Sequence, residues 1–110
     1  MHRINLKPVS VNECFTGRRF KTDLYKRYID SIGFMAPKIK MPEPPFQIHL
    51  KFGFSNEASD FDNCVKTTID SLAKKYGFND KLIRRAIIDI EIVPVKKEYF
   101  EFEITTLTKK

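Results

Sequence analysis

The chain has 110 residues, 42% of them hydrophobic and 31% charged, with a formal net charge of +6 and a pI near 9.4. That length holds one domain, residues 1–110, with one modest core, and the composition excludes a disordered or collagen-like chain. No apolar run approaches the roughly 20 residues that cross a bilayer, and the first seven residues lack a signal-peptide core, so a cytoplasmic protein away from membranes is expected.

Taken in order, residues 3–15 read as a short strand running into a loop that carries Pro8, Ser10 and Asn12. Thr22 is a good N-cap and Gly33 a good C′ residue for a first helix, with Leu24, Tyr28 and Ile32 on its apolar face. Residues 34–45 hold four prolines (Pro37, Pro42, Pro44 and Pro45) and predict a loop. In the strand that follows, Phe46, Ile48, Leu50, Phe52 and Phe54 alternate with Gln47, His49, Lys51 and Gly53. His49 falls on the polar face and reads as a solvated strand residue.

A second helix is predicted from the N-cap Ser59, with Asp62 supplying capping-box chemistry, to Gly77, which stops it. Phe61, Val65, Ile69, Leu72 and Tyr76 form its predicted buried stripe. After a turn through Phe78, Asn79 and Asp80, residues 86–93 and 99–106 read as a hairpin about Pro94, with Glu101 and Glu103 facing solvent. The order β-α-β-α-β-β predicts an α+β fold, a small mixed β-sheet with two helices packed on one face. Cys14 and Cys64 stand 50 positions apart and read as incidental reduced thiols, and neither they nor His2 and His49 have zinc-ligand spacing.

A net charge of this size is common on solvated surfaces; its distribution is more informative. Basic pairs recur along the chain (Arg18-Arg19, Lys26-Arg27, Lys74-Lys75, Arg84-Arg85, Lys96-Lys97, Lys109-Lys110), while acidic residues gather at 60–70 and on the last strands. Carboxylates within a basic frame suit a metal-using enzyme acting on a polyanion. Asp62, Lys66 and Asp70, spaced i, i+4, i+8, share one helix face, and Asp60 sits at the helix entrance, where the dipole favours negative charge. By spacing alone this is equally an acidic amphipathic helix with ordinary ion pairs. Asn63 adds an oxygen beside Asp60 and Asp62, and Asp80 follows one turn after the helix. Such hard oxygen donors suit Mg²⁺ or Mn²⁺, whereas the Gly and terminal Glu of an EF-hand are missing.

The string Asp60-x-Asp62-Asn63-x-x-Lys66-x-x-x-Asp70, followed by Gly77-Phe78 and Asp80, resembles the core signature of the RusA-family Holliday-junction resolvases. Pro8-x-Ser10-x-Asn12, Phe15 and the basic loop through Arg18, Arg19 and Lys21 are similar to that family's N-terminal region. The resemblance implies a RusA-like, homodimeric endodeoxyribonuclease, frequent in prophages, that uses Mg²⁺ to nick four-way DNA junctions in recombination and repair. It makes Asp60, Asp62 and Asp80 the catalytic, metal-holding carboxylates and Lys66 the functional lysine. Asn63 and Asp70 then stand behind them; Asn12, Arg18, Arg19 and Lys21 would grip DNA phosphates beside the site, although they read equally as a solvated basic loop. Many members carry two adjacent aspartates in the turn where this chain has Asn79-Asp80. A nuclease of flaps or other branched substrates, and a non-catalytic branched-DNA-binding protein of the same fold, are the alternatives.

Overall fold

The computed structural model describes residues 1–9, 15–16, 20–21, 23–56 and 61–108, with backbone alone at positions 15, 16, 20, 21, 61 and 63. Its elements are β1 (His2–Ile4), β2 (Phe15–Thr16), β3 (Phe20–Lys21), α1 (Asp23–Met35), β4 (Phe46–Phe54), α2 (Phe61–Tyr76), a 3-10 turn (Asp80–Leu82), β5 (Ile83–Ile92) and β6 (Tyr99–Thr106). The chain is thus α+β, with two helices and a four-stranded mixed sheet in the order β1-β6-β4-β5; β2 and β3 form a separate two-stranded sheet. Among the described residues no helix is long and apolar enough to cross a membrane.

The alternation in β4 sorts its side chains as the sequence predicts. Ile48, Leu50 and Phe52 are fully buried, and opposite them in β6 lie Ile104, Phe102 and Phe100. These join Ile4 of β1, Tyr25, Tyr28 and Ile32 of α1, and Leu72 of α2 in one core, so both helices cover the same face of the sheet. The other face carries His49, Lys51, Arg3, Glu101 and Glu103.

The predicted hairpin does not form. β5 pairs with β4 in parallel and β6 pairs with β4 antiparallel, on its other side. The cause is burial. β4 is the most buried strand and takes a partner on each edge, whereas a β5–β6 hairpin would leave it one neighbour. β6, with Phe100 and Phe102 fully buried, lies between β1 and β4, and the more exposed β5 is left at the edge. The connection 93–98 therefore crosses the end of β4, fastened by Val93 N–H donating to the Phe54 carbonyl at 2.7 Å. Ser55 Oγ also donates to Glu98 Oε2 at 2.7 Å, and this bond holds the Glu98 carboxyl below the usual carboxylate range. A carboxylate whose pKa falls on folding adds stability above its unfolded pKa, and loses it as pH drops through the folded value. Ser55→Ala is expected to move the Glu98 titration upward in a carboxyl-detected NMR experiment, and to flatten that acid limb of stability; an unmoved Glu98 curve would refute the assignment.

Both helices depart from expectation in detail. In α1 the buried residues are Tyr25, Tyr28 and Ile32, while Leu24 is 39% exposed. The helix also runs through Gly33 to Met35, with Ala36 N–H still bonding the Ile32 carbonyl at 2.9 Å; Pro37, not the glycine, forbids the next turn. The predicted cap Thr22 lies outside the described residues. A Cβ on Gly33 would meet nothing within 4 Å. Gly33→Ala should therefore raise stability by about 0.5–1 kcal/mol in urea unfolding, and a loss would show that the position needs glycine.

In α2, Leu72 is buried and Val65, Ile69 and Tyr76 pack partly against the core, as expected of the stripe. The fully covered positions also include Cys64, Thr67, Thr68 and Ser71. Their hydroxyls are satisfied: Thr68 Oγ1 lies 2.8 Å from the Tyr28 hydroxyl of α1, Ser71 donates to the Thr67 carbonyl at 2.7 Å, and Thr67 donates to Val9 O, tying the N-terminal segment to the helix. Small bonded side chains let α2 approach α1 closely without unpaired polar atoms.

Candidate metal and nucleic-acid site

The carboxylate string lies on the face of α2 turned away from this buried strip. Asp62, in the first turn, and Lys66 are exposed, and Asp70 is half-buried. Lys66 Nζ is 3.6 Å from Asp70 Oδ2, an i, i+4 ion pair. Asp62 has no ion pair among the described residues, which leaves an acidic group beside the free N–H groups of the helix start. Lys74 and Lys75 occupy the last turn, the arrangement the helix dipole favours at both ends. Asp60 and Ser59 lie outside the described residues, as does the side chain of Asn63.

At the far end α2 stops at Gly77, whose φ of +69° suits glycine; its N–H and that of Phe78 both donate to the Ala73 carbonyl. Asn79 then caps the 3-10 turn, its Oδ1 accepting from Lys81 N–H at 3.0 Å. Asp80, the next residue, is exposed and without an ion pair among the described residues. Asn79 thus has a structural task, one that an aspartate oxygen would perform equally. Sequence reasoning missed this cap, although an Asn before a short turn is its usual signal.

Asp62 and Asp80 stand at opposite ends of α2. At 1.5 Å of rise per residue the intervening helix separates them by roughly 20 Å within one chain. Among the described residues no group of three His, Cys, Asp or Glu side chains is close enough to hold a metal ion. Within one chain the described carboxylates therefore do not converge on a divalent cation; Asp62 and Asp80 are exposed and each without an ion pair among the described residues, so a shared ion would need Asp80 to come from a second copy.

Of the proposed DNA contacts, Asn12, Arg18 and Arg19 lie outside the described residues, and Lys21 is placed by its backbone in β3. β2 and β3 pair antiparallel, Phe15 with Lys21 and Thr16 with Phe20, so Arg18 and Arg19 belong to the residues joining them. A cleft of about 350 Å³ runs between residues 6–9 and α1, with Lys7 and Arg27 among its lining residues.

The open face of the sheet is a lattice of paired charges. His49 Nε2 is 2.5 Å from Asp89 Oδ2, Lys51 Nζ is 3.3 Å from Glu91 Oε2, and Arg3 Nε is 3.0 Å from Glu101 Oε2. The Glu91 contact raises the Lys51 pKa above its usual value. His49 thus lies partly exposed on the polar face, as expected, and has an acidic partner there. No protein-family model matches the sequence, and no curated protein matches it.

Proposed function

We propose that the chain is a RusA-like, Mg²⁺-dependent endodeoxyribonuclease, a cytoplasmic hydrolase that resolves four-way DNA junctions by paired nicks as a homodimer. The observation that supports this most is the pairing of the string Asp60-x-Asp62-Asn63-x-x-Lys66-x-x-x-Asp70 with its placement. Its described members project from the exposed side of a helix whose opposite side is buried. Asp60, Asp62 and Asp80 would hold Mg²⁺, or Mn²⁺ in its place. When bound, the ion would supply Lewis-acid charge neutralisation and a more acidic water. Lys66 offers an ammonium to the developing charge on the phosphate, with Asp70 steering it from 3.6 Å. Asn12, Arg18, Arg19 and Lys21 would grip flanking phosphates, fixing register without reading bases. The roughly 20 Å between Asp62 and Asp80 in one chain asks for a second subunit to complete the carboxylate set, and a two-fold pair also matches the two equivalent strands of a junction.

The test is cleavage of a labelled four-way junction beside a matched linear duplex, in Mg²⁺, in Mn²⁺ and in EDTA. Symmetric nicks on the junction alone, absent in EDTA, are expected. Cutting of flaps in preference to junctions would retain the chemistry and replace the substrate. Tight junction binding without cutting in any metal would favour a non-catalytic binding protein.

A further inference from the structure

We propose that a second copy of this chain docks on the free edge of β5, the two β5 strands pairing antiparallel about a two-fold axis so that one sheet continues through both subunits. Among the described residues no strand pairs with the outer edge of β5, a ten-residue strand without proline. Native sheets ordinarily blunt such an edge, because its unpaired N–H and C=O groups are a template for another strand. The edge is also apolar: Ile90 and Ile92 are 45% and 49% exposed, and Val95, just beyond, is 70% exposed.

The charge pattern selects the occupant. Arg84 and Arg85 lie at the start of β5, and Asp89 and Glu91 near its end. Parallel pairing of two such strands sets like charges side by side, while antiparallel pairing opposes unlike ones. On the open face of the sheet, Arg85, Ile87, Asp89 and Glu91 follow one another, aligned with Gln47, His49, Lys51 and Gly53. An axis through Ile87 sets Arg85 across from Asp89 of the second copy, and an axis through Ile88 sets it across from Glu91. Both keep the two helix-covered faces on one side. Asp89 and Glu91 already touch His49 and Lys51, whereas Arg85, the basic residue of β5 on this face, has no ion pair among the described residues.

The proposal rests on the homodimer of the preceding reading and gives it a surface. β5 starts next to Asp80, and its far end lies beside Phe54, at the end of the sheet from which the chain enters α2 and Asp62. Antiparallel pairing therefore carries the partner's Asp80 to the end of the sheet where Asp62 stands.

The experiment is sedimentation equilibrium of the full chain without DNA or metal, for wild type, Arg85→Glu and the double variant Ile90→Lys/Ile92→Lys. A wild-type dimer is expected, with Kd weakened at least about 100-fold in each variant. Circular dichroism and thermal melts establish that the variants are folded, and Arg85→Glu stands alone should the double variant fail to fold. A wild-type monomer at ~100 µM, near −5.5 kcal/mol, would overturn the proposal, as would unchanged Kd in a folded variant. A dimer whose Kd neither folded variant changes, and which still resolves junctions, would sink this interface and leave the nuclease reading intact; a β5-dependent dimer that never cuts DNA would do the reverse.

Discussion

Asp62→Asn should lower the rate of junction cleavage on the order of a hundred- to a thousand-fold, with binding of the junction retained in EDTA and thermal unfolding unchanged. The substitution keeps the size of the side chain and one acceptor oxygen, removes its charge and turns the other oxygen into an NH2 donor. Because Asp62 is exposed and in no ion pair among the described residues, its loss leaves no buried group unsatisfied. Among the described residues its structural role is confined to the helix dipole, worth about 0.3–1 kcal/mol. A fall in cleavage without a fall in melting temperature would therefore report a chemical role. Lys66→Ala provides the companion. Its pair with Asp70 is a surface i, i+4 contact worth about 0.3–0.5 kcal/mol, so the helix survives its removal. Full activity of Asp62→Asn in Mg²⁺ would end the nuclease mechanism proposed for this face of α2.

Gly53→Ala should cost about 3 kcal/mol of stability, near the upper end for overpacking a close contact. A Cβ at position 53 would overlap Cδ1 and Cε1 of the Tyr99 ring, its antiparallel neighbour on β6. The ring has no easy way out. It is buried, the Arg3 guanidinium sits 3.9 Å from its centroid on β1, and its hydroxyl donates to Glu91 Oε2 at 3.3 Å on β5. One tyrosine thus touches all the other strands of the four-stranded sheet, and the glycine is what admits it. Burial raises the phenol pKa, so the hydroxyl stays a donor well into alkaline solution. A double-mutant cycle with Tyr99→Leu checks the cause: the cost of Gly53→Ala should shrink once the tyrosine ring has been replaced. An equal cost with and without the Tyr99→Leu substitution would place the strain elsewhere.

What can be read from the sequence is whatever a single element decides for itself. β4 alternates over nine residues because one of its faces is wholly covered, and Gly77 ends α2 because its positive φ is a local requirement. Expectation and structure part where a distant partner decides. Adjacency suggests the hairpin, yet the partner of both β5 and β6 is β4, a strand separated from them by the whole of α2. Periodicity points to Val65 and Ile69 as the inner face of α2. They do pack against the core, but the fully buried positions beside Leu72 include Thr67, Thr68 and Ser71, whose hydroxyls become buriable only through Val9, Tyr28 and the helix's own carbonyls. In the candidate site, the shared face of Asp62, Lys66 and Asp70 is legible as helical periodicity. The distance to Asp80 is not, since it depends on where the chain goes after the helix. The cap made by Asn79 is hidden when that residue is treated as a missing aspartate.

The pairing of β1 with β6 joins Ile4 to Phe100, and Arg3 to Glu101 across 98 positions of chain. β6 is itself held by β4 on its other edge, so the sheet closes only when segments from both ends of the sequence have met. Such long-range closures put the loop entropy before the contacts that offset it. The protein should accordingly fold on a scale of roughly milliseconds to seconds and not in the microseconds of a helical bundle, with β1 among the last strands to dock.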